Sequence, residues 1–451
     1  MSDHSKTVLL MLLHGRYLHG GRILCLIPFH VPKQSSLRAL HITTVRKANY
    51  FMTSNERREA RYQRRKAERE RRKQDRSNKI GNISEVFAYS TLYRAGKECC
   101  TGVRWKNSVQ RFEQHLFSGT ARRRKLLLDG KWEPCQYVHF TINERGKTRP
   151  IDAPRIQDRQ IHKVYTQKVL LPLYLPDMIW NNGASLRGKG FHFSKNELKK
   201  DLRYHFARYG REGQIILMDC KQFFPSASPR TIYKRHNKLI YDSQLRKLGD
   251  DIVKSTPGDF GMPLGVEPSQ AEMIALPSPM DNYIKCQLSL KCAGHYMDDY
   301  YIIVPPDMDA KEILRKVIEK SKELEITISE KKTVIAPLTK PFRYCKAKYR
   351  LTETGRVIIG GNKGSVKRAR RKIKAFYEKV QNGEMSYEDL WTSVNGMLAY
   401  LESYDNHQRV LHLRRLFFAI YGFSPEHIEN FRLKEMEKQN NAIHCSSTIQ
   451  G

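Results

Sequence analysis

Acidic side chains are scarce in this chain beside basic ones. Asp and Glu number 46 against 81 Lys and Arg, a formal +35 over 451 residues, and the basic excess runs through the sequence instead of sitting in one tail. Such a field selects a polyanion, nucleic acid first and an anionic membrane second. No lipid anchor is visible, and the one early apolar run, "VLLMLL" at residues 8–13, is too short to span a bilayer and is followed by no small-residue cleavage site. Nine cysteines include no CxxC pair, and no histidine cluster stands at zinc spacing, which excludes zinc-finger classes and fits a reduced, cytoplasmic setting. "GASLRGKG", Gly183 to Gly190, lacks the ending of a phosphate-binding P-loop and follows no strand. Internal repeats are absent too.

Residues 1–51 hold a single acid, Asp3, which is also how an organelle transit peptide reads. The plainer reading is a poorly ordered extension ahead of a natural start at Met52. From Asn55 to Arg76 there is no Gly, no Pro and almost no apolar stripe. A solvated basic helix is expected there, with pairs such as Glu68 and Arg72. Short helices follow over residues 83–135. "YVHFTINERGKTRPIDAP" then reads as two strands around a turn at Arg145-Gly146. Helical spacing returns in "RIQDRQIHKVYTQKVLLPLY" and around Asn196 to Tyr209. The block from Ile215 to Val304 reads as the densest run of apolar strands. Beyond it come an amphipathic helix, a hairpin turning at Gly355 in "RYCKAKYRLTETGRVII", and helices from Lys367 to Tyr421 with Leu390, Val394, Met397 and Leu401 on one face. The sum is an α+β body.

Two stretches stand out chemically. "QIILMDCKQFF" is an apolar strand ending on Asp219, and "GHYMDDYYIIV" puts Asp298 and Asp299 inside a run that otherwise reads as buried. Like charges in such surroundings cost several kcal/mol each, roughly, unless something neutralises them. If the first strand lies beside a hairpin tipped by Met297-Asp298-Asp299, three carboxylates converge. Hard divalent cations suit that donor set, and a pair of them can hold the attacking and leaving oxygens of a phosphoryl transfer.

With these residues in view the sequence resembles the reverse transcriptases. "YMDD", Tyr296 to Asp299, is similar to their catalytic box, "DCKQFF" to the preceding palm motif, and "GMPLGVEPSQ", Gly261 to Gln270, to the segment between them. Any one match is weak, and three in the same order are strong. "RGKTRPIDAPRIQDRQIHK" resembles the fingers, "SEKKTVIAPL" a palm segment carrying a lysine, "FRYCKAKYRL" the primer grip, and the following helices a thumb, so the likeness covers roughly residues 130–425. The motif form is most similar to bacterial and phage enzymes of diversity-generating retroelements and related groups.

The resemblance implies a right-hand polymerase fold: an N-terminal extension (1–51), a basic helical arm (52–82), N-terminal helices and fingers (83–213), a palm whose antiparallel sheet carries the acids (214–350), a primer-grip end and helical thumb (351–430), and a tail (431–451). It implies Asp219 and Asp298 as principal metal ligands, Asp299 nearby, and a backbone carbonyl from Cys220, holding two Mg²⁺ with Mn²⁺ as a substitute. Phe224 would lie under the incoming sugar and disfavour ribonucleotides, with Phe223 as the alternative ring. Gly261 and Gly265 would let backbone approach nucleotide and template, Gln270 would belong to the nucleotide site, and Lys147 and Arg149 would hold the triphosphate. Lys332, or its neighbour Lys331, would protonate the leaving pyrophosphate. The loop at Gly183 to Gly190 would lie near template. Leu264 stands where relatives commonly carry Gln before the second glycine, which implies low fidelity. Expected partners are an RNA template, a DNA or RNA primer, deoxynucleoside triphosphates and a small accessory protein, with no membrane. Untemplated or protein-primed DNA synthesis and a noncatalytic RNA-binding scaffold stay open as alternatives.

Overall fold

In the computed structural model, residues 53–434 are described, apart from 145, 257, 259 and 362. The expectations for residues 1–51, for most of the tail and for Arg145 lie outside the described residues. The chain divides into two units at Glu70/Arg71. That point falls within helix α1 (Ser54–Ile80), whose residues up to Glu70 are nearly all exposed, as expected of so polar a sequence.

The second unit continues with α2 (Ile83–Val86), α3 (Tyr89–Cys100), α4 (Asn107–Gln114) and α5 (Leu116–Leu128). Asn82 starts α2 with a reciprocal capping box, its side chain accepting from the Glu85 amide while Glu85 returns to the Asn82 amide. Strands β1 (Val138–Glu144) and β2 (Lys147–Ala153) pair antiparallel as a two-stranded ribbon. Then come α6 (Ile156–Tyr165), a π-helical turn, α7 (Leu171–Tyr174), α8 (Phe191–Tyr209) and β3 (Gln214–Asp219).

The expectation of a strand-rich block from Ile215 to Val304 needs correcting. After β3 the chain forms α9 (Pro229–Leu239), α10 (Ser243–Lys254), α11 (Glu267–Ala275) and α12 (Ser278–Asn282) before β4 (Ala293–Tyr296) and β5 (Asp299–Val304). Proline in the first turn of three of these helices supplies a start signal, because its missing N–H costs nothing there. After α13 (Ala310–Lys322) come β6 (Val334–Pro337), β7 (Phe342–Tyr344), β8 (Ala347–Leu351) and β9 (Val357–Gly360). The expected two-stranded hairpin is therefore a three-stranded sheet, β7-β8-β9. Its extra corner is made by Cys345 and Lys346, both with positive φ, a conformation that a Cys-Lys pair gives no sign of. The expected boundary at residue 350 falls inside β8. Helices α14 (Lys363–Gln381), α15 (Tyr387–Glu402) and α16 (His407–Tyr421) close the described chain around a core containing Leu390, Val394, Leu401 and Phe417. Among the described residues no helix is long and apolar enough to cross a membrane.

The central sheet has the order β4-β5-β3-β6. Directly paired residues share a face, so Ile216 with Ile302 and Met218 with Tyr300 point to one side, and Ile215 with Ile303 and Leu217 with Tyr301 to the other. The first set packs in a core with α9 and α13 residues, and the second against α8 and β7–β9. Both faces are covered, which is why β3 is apolar without alternation.

A buried polar network fixes α11. Glu272 accepts from both the Tyr174 hydroxyl at 2.9 Å and His236 Nε2 at 2.9 Å, and His236 Nδ1 lies 2.7 Å from Asp250. Burial alone would push the His236 imidazole down, but Glu272 and Asp250 override it and raise it to about 9 from the ordinary 6.5. A raised value in the fold means that the stabilisation is complete below about pH 6.5 and is lost as pH rises through about 9. Melting temperature should therefore fall between those limits, and Glu272→Gln should flatten that slope. Glu272→Ala, which removes one of the two partners of a buried imidazolium and the acceptor of the Tyr174 hydroxyl, should cost roughly 3–5 kcal/mol. Thermal denaturation across pH checks both.

Candidate active site

Strands β3 and β5 run side by side so that Asp219 is the direct partner of Asp299. β4 reaches β5 through the turn Met297-Asp298, with Met297 at φ 54°. The Cys220 amide donates to the Asp298 carbonyl at 3.1 Å, tying that turn to the end of β3. The Ser329 amide donates to the Asp219 carbonyl at 2.8 Å, which lays the short helical turn Glu330–Lys332 alongside. From there the Lys332 ammonium donates to Asp219 Oδ1 at 2.7 Å. Of the two adjacent lysines, Lys332 is the one bonded to the acid.

All three carboxylates are half-buried. Burial first, then the neighbouring Asp298 and Asp219, push Asp299 up to about 6. Asp298 is raised for the same leading reason, with Asp219 adding and Lys332 and Arg149 opposing. The Lys332 ammonium is raised in turn, chiefly by its bond to Asp219. Negative charge is crowded here, and Lys332 is the cation bonded directly against it. The Cys220 thiol is buried and raised by that burial, so only its backbone faces this chemistry.

The two phenylalanines separate. Phe223 is buried in the core on one side of the central sheet, whereas Phe224 is only partly covered, and the turn that carries them is bonded to the glycine segment through Met262 N to Phe224 O at 2.9 Å. Gly261 (φ 92°) has a packing reason to be glycine: a Cβ would lie 2.9 Å from the Pro225 carbonyl oxygen, a backbone atom that cannot swing aside. Gly265 (φ 100°) is exposed and sits against Ile151, and the Asp152 amide donates to the Leu264 carbonyl at 3.3 Å, so the β1–β2 ribbon is strapped to this loop. Arg149 is exposed on β2 with its charge felt at Asp298. Lys147 opens β2, its side chain lying outside the described residues. Gln270 is exposed on α11 and bonded to none of the acids. The Gly183–Gly190 loop begins beside the hairpin, with the Gly183 amide donating to the His295 carbonyl at 3.0 Å.

Sequence reasoning missed His295, Asp281 and Lys346. His295 is fully buried and stacks on Tyr300 with ring centroids 4.6 Å apart. Its Nδ1 lies 3.1 Å from the Met297 carbonyl and its Nε2 3.2 Å from Asp281. A carbonyl only accepts, so Nδ1 is the donor to Met297 and Nε2 faces the Asp281 carboxylate. The imidazole thus props the turn that holds Asp298. Lys346, at the β7–β8 corner, is a further positive charge opposing the rise at Asp299. The histidine two places before "MDD" was the available signal; nothing local marks Asp281.

Residues 141–346 match the family described as reverse transcriptase (RNA-dependent DNA polymerase). That stretch is similar to a reverse transcriptase domain. Its mixed helices and antiparallel sheets fit the right-hand polymerase fold of that family. No curated protein matches the chain. Among solved structures it is similar to telomerase from Candida albicans in complex with a TWJ fragment of telomeric RNA, at 14% identity and a TM-score of 0.39, over 62% of this chain and 55% of that one. The chain thus spans about half the length of that telomerase chain.

Removing the prop should show in both stability and turnover of this domain. His295→Ala leaves Asp281 buried and unpaired and should cost roughly 3–5 kcal/mol. The double variant His295→Ala/Asp281→Ala should regain part of that in a thermal melt yet stay slow in primer extension, because the turn is still unsupported.

Proposed function

We propose that the chain is an RNA-directed DNA polymerase that adds deoxynucleotides to a primer 3′-hydroxyl on an RNA template. The observation that carries this reading is the register of β3 on β5, which sets Asp219 against Asp299 with Asp298 in the adjoining turn. Three hard-oxygen donors that already attract an ammonium suit Mg²⁺, with Mn²⁺ as a substitute. Among the described residues no three His, Cys, Asp or Glu side chains are already grouped to hold an ion. Asp219 would have to exchange its bond to Lys332 for one to metal, with Asp298 as the second principal ligand, Asp299 nearby, and the Cys220 carbonyl contributing. Two ions bound there would stabilise both the attacking and the leaving oxygen.

The chain's own residues supply the rest. Lys332, displaced from Asp219, is a protonated amine beside the place where pyrophosphate departs, and so a general acid for it. Arg149 carries charge toward the triphosphate from β2, the strand that Lys147 opens. Phe224 is the ring left partly exposed on the turn after β3, and a rigid ring under the sugar leaves no room for a 2′-hydroxyl. The net positive field fits an A-form hybrid gripped by phosphates and 2′-hydroxyls, with little sequence preference. A bacterial or phage retroelement, a cytoplasmic location and an accessory protein on the basic arm complete the reading.

Asp298→Asn should abolish primer extension on RNA with Mg²⁺ while the Kd for a primer–template hybrid stays within about 3-fold, since one neutralised acid in so basic a protein changes phosphate attraction little. A variant that extends normally would remove Asp298 from the proposed site. Phe224→Val should raise the efficiency of ribonucleotide incorporation by about 10-fold or more relative to deoxynucleotides, the order of effect of relieving one steric clash. Unchanged discrimination would pass the role to another residue.

A further inference from the structure

A pocket of about 380 Å³ lies between α9, α12 and the end of α13, and none of its lining residues belongs to the proposed catalytic centre. Its volume is ligand-sized, within the roughly 300–1,000 Å³ usual for small-molecule sites. Lys234, Arg235 and Lys238 line it from one side of α9. The two lysines stand four residues apart, where like charges on a helix repel. Among the described residues neither ammonium is in an ion pair or a hydrogen bond. Arg235 is held in place: its guanidinium lies over the Tyr174 ring at 5.3 Å and its Nη2 donates to the Leu276 carbonyl at 3.0 Å. That leaves further N–H groups of a fixed planar fork unspent. The two acids on the wall do not cancel this charge, because Asp177 is bonded to Arg76 at 3.1 Å and Glu323 to Lys320 at 2.6 Å.

The rest of the wall carries unspent hydrogen-bonding groups and an apolar surface. The Ser278 hydroxyl is buried with no hydrogen-bond partner, a state that costs free energy until a partner arrives. Asn282 gives both amide hydrogens to backbone carbonyls, those of Asp177 at 2.8 Å and Ser278 at 2.9 Å, so its side-chain oxygen is left to accept. Leu239, Ala275, Pro279 and Leu324 supply the apolar part. The same short helix, α12, places Asp281 under His295, so an occupied pocket would hold the helix that props the turn of Asp298.

We infer that this pocket binds a nucleoside phosphate, at a place separate from the polymerase site. The phosphate lies on the Arg235 fork with the two lysine ammonium groups, the base against Leu239 and Pro279 with an exocyclic amine donating to Asn282, and a ligand oxygen satisfies the Ser278 hydroxyl. One cluster of cations in a closed-in cavity suits a single phosphorylated molecule, whereas a nucleic-acid strand needs a run of them along a groove. Binding here is independent of whether the chain extends primers.

The test is titration calorimetry of the full chain with AMP, in EDTA so that no divalent ion can draw a nucleotide to the acids. The wild type should bind AMP at a single site, and inorganic phosphate, which offers the head alone, at least about 10-fold more weakly. Lys234→Gln/Lys238→Gln, at two exposed positions, should weaken AMP by about 10-fold, whereas Asp298→Asn should leave its affinity unchanged. Ser278→Ala removes a hydroxyl that has no partner in the free chain, so it should weaken AMP by about 5-fold without lowering the melting temperature. Amide exchange in α12 should slow when AMP is bound. No binding of AMP, equal binding of AMP and phosphate, or an affinity that follows Asp298 and ignores the lysines would overturn the proposal. So would displacement of AMP by a single-stranded RNA of about 10 nucleotides, which would make the pocket a contact for nucleic acid. A chain that binds AMP as described but never extends a primer would sink the polymerase reading and leave this site standing.

Discussion

Three carboxylates held at the ends of two neighbouring strands, against their own repulsion, are the constraint around which the domain is arranged. Repulsion among half-buried acids destabilises the strand ends, and the fold answers it with charge and with rigidity. Lys332 bonds Asp219 from the turn after Ser329, and the charges of Arg149 and Lys346 bear on Asp298 and Asp299 from the ribbon and the three-stranded sheet. Each cation comes from a different element, so the acids are balanced only when ribbon, central sheet and β7–β9 are all in place. Rigidity comes from beneath: the His295–Asp281 pair under the turn, Tyr300 and Tyr301 fully buried on opposite faces, and cores against both sides of the sheet.

The same logic extends outward to the segment from Gly261 to Gln270. It has to be close to the Phe224–Pro225 turn, which excludes a side chain at Gly261, and it has to carry the ribbon through Leu264. Its helix, α11, is anchored at the far end by Glu272 in a buried network with Tyr174 and His236. A loop that meets both the Phe224–Pro225 turn and the ribbon is thereby given a fixed base.

Much of this was legible in the sequence because the residues concerned are costly anywhere else. Acids inside apolar strands, at Asp219 and in "YMDD", announce a site, and their order around "GMPLGVEPSQ" announces its kind. The ribbon, the helix from Ala310 and the closing helices follow from periodicity alone. What stayed hidden depends on pairing across the chain. Asp281 is an ordinary acid until α12 brings it under His295. The choice between Lys331 and Lys332 is made by a single helical turn, and that between Phe223 and Phe224 by which ring the core takes. Helix α11 was obscured because, buried on most sides, it loses the polar stripe that betrays a helix, whereas α9 and α10 keep theirs. The third strand of β7–β9 was lost at a corner built from Cys345 and Lys346, residues that seldom adopt positive φ.

The pairing of β3 with β5 has a consequence for how this chain can change length. Side chains alternate along a strand, so gaining or losing one residue within Gln214–Asp219 or Asp299–Val304 would exchange the two coats of the sheet and turn the Asp219 carboxylate to the wrong side. Length variation is closed to these two segments, in the way that a zipper cannot skip a tooth and still meet at its end. Natural diversification of this protein has instead to run through its connections and its outer helices, while a dozen residues keep their count.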